Sequence, residues 1–271
     1  MPIEISSKVS VHKNAVIGKN VTIMPYTVID ENVKIGDNTV IGPNVYITGW
    51  TDIGENNKIH AGVVIGGEPQ DVSYKNERSY VKIGENNVLR EGVTIHRGTK
   101  AETSTFVGNN NLFMAYSHVA HNCVVKDNII MVNLVALGGY VEVDEKAFLS
   151  YAVAVHQFCK VGKYVMVAPL SKIGKDVPPF MLVSGPETAV VRGLNVVGLR
   201  RAGISAPDRE IIKKAYKLLY HSGLNTTQAV EAILAEQDLK DNPNVSELIR
   251  FIKSAKRGIC SHHKHETESP E

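Results

Sequence analysis

Apolar residues recur every six positions along most of this chain: Ile17, Ile23, Ile29, Ile35, Ile41, Ile47, Ile53, Ile59 and Ile65 follow one another without a gap. The step resumes at Ile83, Leu89 and Ile95, then runs from Val107 through Phe113, Val119, Val125, Met131, Leu137, Val143, Leu149, Val155, Val161 and Val167 to Ile173. Such a period belongs neither to a helix nor to a strand with one wet face. Gly often follows the periodic residue (Gly18, Gly36, Gly54), and Asn often stands three beyond it (Asn20, Asn38, Asn122). Both tolerate left-handed backbone angles, so each unit reads as a short strand and a corner. One position further, Val21, Thr27, Val33, Thr39, Val45, Ser117 and Cys123 suit a second inward layer.

Units this short bury nothing alone; they become stable when coiled so that like faces stack, each coil adding about 4.8 Å. The pattern therefore predicts a parallel β-helix over residues 1–190, a prism with three faces and eighteen residues per coil. Residues 69–80 and 99–105 break the step and are expected to be external loops. The period does not set the hand of the coil, and parallel crossovers are ordinarily right-handed.

After Pro178 and Pro179 the step vanishes and helical spacing replaces it. Ser205 is placed to cap a helix with Ile211, Ala215, Leu218 and Leu219 on one face and Gly223 past its end. Asn225 or Thr226, and then Ser246, offer caps for two more, carrying Val230, Ile233 and Leu234, and Leu248, Ile249 and Ile252. A small helical domain is expected over 191–260, followed by a polar, disordered tail at 261–271.

Composition narrows the classes. With 30 Lys+Arg against 28 Asp+Glu, charge gives no reason to propose nucleic-acid binding. Cys123, Cys159 and Cys260 are odd in number, widely spaced and form no C-x-x-C pair, which argues against disulfides and a cysteine zinc site and favours a reducing cytoplasm. No basic-then-apolar leader and no membrane-length apolar run is present, so neither secretion nor membrane insertion is expected.

The coil makes a geometrical statement about "SHVAHNC" at 117–123. Where the step is unbroken, His121, Gly139 and Gln157 fall in one column at outward-facing corners, while His118 stacks on Ala136 and Ala154. A metal needs three or four converging ligands, and those alanines supply none. Proton acceptor, metal ligand and core packing all remain open for these imidazoles at this level.

The hexapeptides resemble those of the left-handed β-helix acyltransferases. "EPQDVSY" (68–74), "TIHRGT" (94–99), "SHVAHNC", "AVHQFC" (154–159), "DVPPF" (176–180), "GLNVVGLRRAG" (193–203) and "AYKLLYHSG" (215–223) resemble, in order, the UDP-N-acetylglucosamine 3-O-acyltransferases. That resemblance implies a mainly β fold, a left-handed parallel β-helix followed by a small helical domain, and transfer of an (R)-3-hydroxyacyl group from acyl carrier protein to the 3-position of a UDP-N-acetylglucosamine-type sugar, the first step of lipid A biosynthesis. It implies His121 as general base and the Gly139 amide as oxyanion donor. Gln70, Asp71, His118, His156, Gln157, Asn195 and Arg201 match substrate-binding positions, and Met166 and Pro169 match the acyl-chain pocket. Arg200, Arg201, Lys213 and Lys214 are the expected contacts for the acidic carrier protein. A homotrimer with sites between subunits is expected, with no metal or organic cofactor.

The chain departs from the family at Tyr140, where a histidine is usual, at Ser73, where a lysine is common, and at Val197, which replaces an acid. These leave open a UDP-2-acetamido-3-amino sugar as acceptor, giving an amide. Pro169 stands where glycine leaves room for a long chain, so a shorter acyl group is expected. The other readings are a gamma-class carbonic anhydrase using His96, His118, His121 and His156, the N-acyltransferase acting later in the same pathway, which carries an extra N-terminal domain, and a non-enzymatic solenoid.

Overall fold

The computed structural model describes residues 4–5 and 8–262. Strands of two to five residues form three sheets of eleven, nine and eight strands, and all the pairs within the coil are parallel. Ile23 pairs with Ile41 and His118 with Ala136, each eighteen residues on. The coil is left-handed, as the resemblance implied.

Two excursions lengthen the repeat without changing its phase. Trp50 pairs with Tyr80 across the first, thirty residues apart, and Tyr80 with Ser104 across the second, twenty-four apart. Because both intervals are multiples of six, the same side chains keep pointing inward. The loops end slightly earlier than their sequence limits, since Tyr80 and Ser104 already lie in strands.

The periodic residues fill the prism: Ile41, Ile65, Val119 and Leu137 are fully buried. The second inward layer is present as expected, with Val21, Thr27, Thr39, Ser117 and Cys123 buried. Its hydroxyls are satisfied by the main chain, as where Thr27 Oγ1 donates to Gly42 O at 2.8 Å.

The corners divide labour between two residue types that the sequence pattern had grouped together. Asn20, Asn38 and Asn122 take the left-handed conformation, with φ of 55°, 58° and 59°. Gly36 and Gly54 do not; a Cβ at Gly36 would lie 2.5 Å from the Gly54 carbonyl carbon, so glycine serves close stacking of coils there. Bulky residues also turn corners: Leu134, Tyr140 and Phe158 have φ of 63°, 60° and 66°. Left-handed backbone costs an L-residue roughly 1–2 kcal/mol, and inter-coil bonds such as Tyr140 N–H to His121 O (3.0 Å) hold it.

The prism closes with Met181–Ser184, which pairs antiparallel with Val190–Leu194. Five helices follow: α1 (Val196–Arg201), α2 (Ala206–His221), α3 (Thr226–Ala235), α4 (Gln237–Lys240) and α5 (Pro243–Ser254). Ser205 caps α2, and Asn225 caps α3 through a capping box with Gln228. Ser246 caps nothing: Asn242 accepts from Asn244 and Val245 amides, and Pro243 opens α5 a turn earlier. The buried face of α2 is Ile212, Ala215, Tyr216 and Leu219, with Ile211 and Leu218 at its margin.

The chain then returns to the prism. Asp176 pairs with Ile259 and Val191 with His262, and Tyr216 Oη lies 2.9 Å from His262 Nε2. Ser261 and His262, expected to begin a disordered tail, are thus tied down by main-chain pairing; residues 263–271 lie outside the described residues.

Candidate active site

Coil register brings His121, Gly139 and Gln157 into one column. Tyr140 N–H donates to His121 O and Phe158 N–H to Gly139 O, both at 3.0 Å. The His121 ring packs directly on Gly139, where an added Cβ would lie 2.3 Å from Cε1 and 2.5 Å from Nε2. Glycine here makes room for the ring. Its own amide has no acceptor among the described residues.

His121 stands at the corner the repeat predicted, yet it is only 7% exposed because other groups cover it. The Tyr140 ring meets it edge-on, centroids 5.4 Å apart, and the first excursion brings Asp71 Oδ2 to 3.6 Å from Nε2. Neither cover was readable from a period that describes only the prism.

Nδ1 of His121 lies 3.1 Å from Asn122 Oδ1. The same Asn122 atom receives the Thr99 main-chain N–H at 3.0 Å. An N–H can only donate, so that atom is the oxygen, and His121 Nδ1 must carry the proton it shares. Nε2 is left as the lone-pair nitrogen, facing Asp71. Hydrogen bonds from Ser73, chiefly its amide at 2.8 Å from Oδ1, hold the Asp71 carboxyl below the usual carboxylate range, and His121 once protonated lowers it further. A base nitrogen and an anion that can balance the resulting imidazolium thus face one another.

The remaining histidines differ. His118 Nδ1 is 2.7 Å from Thr94 Oγ1, and its ring meets His96 edge-on at 4.9 Å. Burial holds His118 below the ordinary histidine range and, aided by His118 and His121, pushes His96 down to about 4. His156 is exposed with Nδ1 3.0 Å from Gln157 O; Gln157 and Gln70 are exposed as well. Among the described residues, no three His, Cys, Asp or Glu side chains group as a metal site would require.

Arg97, within the "TIHRGT" stretch, is a further residue of this region. It occupies the corner below His121 in the column and is nearly buried. Its guanidinium donates to Gly66 O and Tyr74 Oη, both at 2.8 Å, and lies 3.4 Å from Glu68 Oε1. Arg97 therefore fastens the excursion that carries Gln70 and Asp71 to the prism. In the sequence Asn122 reads as an ordinary corner residue and Thr99 as the start of the second external loop, and their link to His121 appears only once the excursions are folded back.

Asn195, Arg201 and Met166 lie elsewhere, around a cavity of about 570 Å³ on the eleven-stranded face, with Lys146, Phe148 and Val197. Asn195 Oδ1 caps α1 through Gly198 N–H at 3.0 Å, and its Nδ2 donates to Tyr164 O at 2.9 Å. Pro169 sits at an exposed corner and does not line that cavity. The two groups of residues thus lie on different faces of the chain.

A left-handed prism of hexapeptide repeats is the framework of the hexapeptide-repeat transferases. The bacterial transferase hexapeptide model matches residues 14–49 and 32–67, and that of UDP N-acetylglucosamine O-acyltransferase domain 2 matches 176–260. The chain belongs to the acyl-[acyl-carrier-protein]–UDP-N-acetylglucosamine O-acyltransferase family. It is 44% identical to the Thermodesulfovibrio yellowstonii member over 92% of this chain and 98% of that one. It is 47% identical to the Gloeothece citriformis member over 69% of this chain and 66% of that relative. The crystal structure of the UDP-N-acetylglucosamine acyltransferase from Bacteroides fragilis superposes with a TM-score of 0.91 at 43% identity, covering 94% of this chain and 99% of that one.

Proposed function

We propose that this chain transfers an (R)-3-hydroxyacyl group from acyl carrier protein to the 3-position of a UDP-N-acetylglucosamine-type sugar, the first step of lipid A biosynthesis. The observation that carries the mechanism is the Asn122 Oδ1 contact at 3.1 Å, which occupies His121 Nδ1 and frees Nε2. Nε2 takes the proton of the sugar hydroxyl as its oxygen attacks the thioester carbon. The Gly139 amide donates to the oxyanion, and Asp71 balances the imidazolium. Collapse breaks the carbon–sulfur bond, and His121 returns the proton to the departing thiolate. General-base catalysis contributes about 10²- to 10⁴-fold, and one oxyanion donor about 10²- to 10³-fold. No covalent nucleophile takes part in this scheme.

Gln70, His118, His156 and Gln157 contact the sugar, Asn195 and Arg201 the nucleotide, and Met166 and Pro169 the acyl chain. The two groups become one site in a homotrimer, where the eleven-stranded face of one copy meets the His121 column of the next. Basic residues of α1 and α2, Arg200, Arg201, Lys213 and Lys214, receive the carrier protein. The reaction belongs to the cytoplasm, a reading supported by three buried free cysteines; no described helix is long and apolar enough to cross a membrane.

A 3-amino acceptor is the second reading. Asp71 is held anionic beside His121, and the positions where the family usually carries lysine and histidine are Ser73 and Tyr140. This less cationic surround suits an ammonium that must approach and lose its proton. Intact-mass analysis of products from the 3-hydroxy and 3-amino sugars, with wild type and His121→Ala, tests both: unchanged turnover in His121→Ala overturns the base assignment, and the favoured sugar identifies the acceptor.

A further inference from the structure

The Thr99 hydroxyl owns a single proton, and it donates that proton to Asn122 Oδ1 at 3.0 Å. The Tyr140 hydroxyl, 3.1 Å from Thr99 Oγ1, is therefore the donor in its own contact. The hydrogen bonds run in one direction, from Tyr140 to Thr99 to the Asn122 oxygen that also receives His121 Nδ1–H. Thr99 is 4% exposed, so this chain of bonds is shielded from solvent.

Tyr140 is itself rigidly placed. Its ring stacks on Phe158, centroids 4.9 Å apart and planes 15° from parallel, and its edge contact with His121 completes the packing. Asn122 is pinned on its other side, where its main-chain N–H donates to Thr105 Oγ1 at 2.8 Å. The two neutral tautomers of an imidazole are separated by little intrinsic energy, and the bond made by one nitrogen decides which nitrogen is left as acceptor.

We propose that Tyr140 and Thr99 are positioning residues for proton transfer: together they hold the Asn122 carboxamide with its oxygen toward His121, keeping the proton on Nδ1 and the lone pair of Nε2 toward the acceptor. The proposal rests on the reading of His121 as the base. It gives the departure at Tyr140 a role other than sugar contact. Removing the Thr99 hydroxyl takes away one of the two Thr99 bonds that fix the Asn122 oxygen toward His121, the other being its main-chain N–H, and removing the Tyr140 hydroxyl frees the Thr99 hydroxyl to turn away.

Tyr140→Phe keeps the ring and both ring contacts and removes only the hydroxyl; Thr99→Val does the same for Thr99, and Thr99→Ser restores it. We expect Tyr140→Phe and Thr99→Val each to lower kcat by about five- to tenfold, the rate equivalent of one neutral hydrogen bond. The KM for the nucleotide sugar stays within about twofold, because the loss falls on the step after binding. The double variant is no worse than about the weaker single one, since both cut one chain, and Thr99→Ser retains wild-type kcat. Nitrogen-15 NMR of His121, assigned by comparison with His121→Ala, shows Nδ1–H alone in the wild type and a mixture of tautomers in Tyr140→Phe and Thr99→Val.

Unchanged kcat with His121 still Nδ1–H in both variants overturns the proposal. So does a raised KM with unchanged kcat, which makes Tyr140 a substrate contact. An active His121→Ala overturns the base reading itself, whatever Tyr140 does, so the two failures are distinguishable.

Discussion

The His121 imidazole packs against the main chain of Gly139 so closely that a single methyl group there would lie 2.3 Å from its Cε1. The atoms in the way are a ring held by Asn122 and Tyr140, not the free end of a flexible side chain. Gly139→Ala is therefore expected to displace the base while the prism stays folded. Turnover should fall by about 10²-fold or more, within the range for losing a positioned acid–base group or oxyanion donor. Wild-type circular dichroism with lost activity confirms this; full activity would mean that ring and glycine are not the reacting pair.

Arg97 reaches across to Tyr74 Oη and Gly66 O, and those bonds hold the excursion that presents Asp71. Arg97→Met preserves much of the stem and removes the fork. The nucleotide-sugar KM should rise and amide exchange over residues 69–80 should quicken, while strands distant from the loop keep their protection. Exchange identical to wild type would show that the loop is held by other contacts.

His96 is buried and held neutral, its pKa pushed down to about 4 from 6.5. Between those values the unfolded chain binds a proton that the folded chain refuses, so stability decreases as pH falls through this window. The melting temperature should drop between about pH 6.5 and pH 4 on this account. A His96→Asn variant, whatever its stability at neutral pH, should show a shallower decline; an equal slope would remove His96 as the cause.

Asn195 and Arg201 lie around a cavity on the eleven-stranded face, whereas His121 occupies a corner following the nine-stranded one. If sites form between copies, His121→Ala and Arg201→Ala chains, each inactive alone, complement one another when refolded together. Mixed trimers then hold sites in which neither substitution occurs. Mixtures as inactive as their components would place the whole site within one chain.

Much of the fold was legible because its physics is periodic. A residue every six positions that is Ile, Val or Leu must be buried, Asn three beyond it bends the chain, and equal spacing stacks His121 on Gly139 and His118 on Ala136. Ser246 and Asn242 are both good caps by residue type, and the helix starts at the earlier one, where Asn242 accepts from the Asn244 and Val245 amides and Pro243 takes the first helical position. The return of Ser261 and His262 to the prism was hidden because their partners Val191 and Tyr216 are dozens of residues away.

The chain's own pattern determined the prism, its inward column and the vertical order of His121, Gly139 and Gln157, since each follows from local spacing and side-chain type. The tertiary structure alone decided that His121 is covered, that Asn122 and Thr99 select its tautomer, and that Arg97 fastens the loop bearing Asp71. Those relationships join segments separated by irregular excursions, and their geometry exists only once the coil has closed.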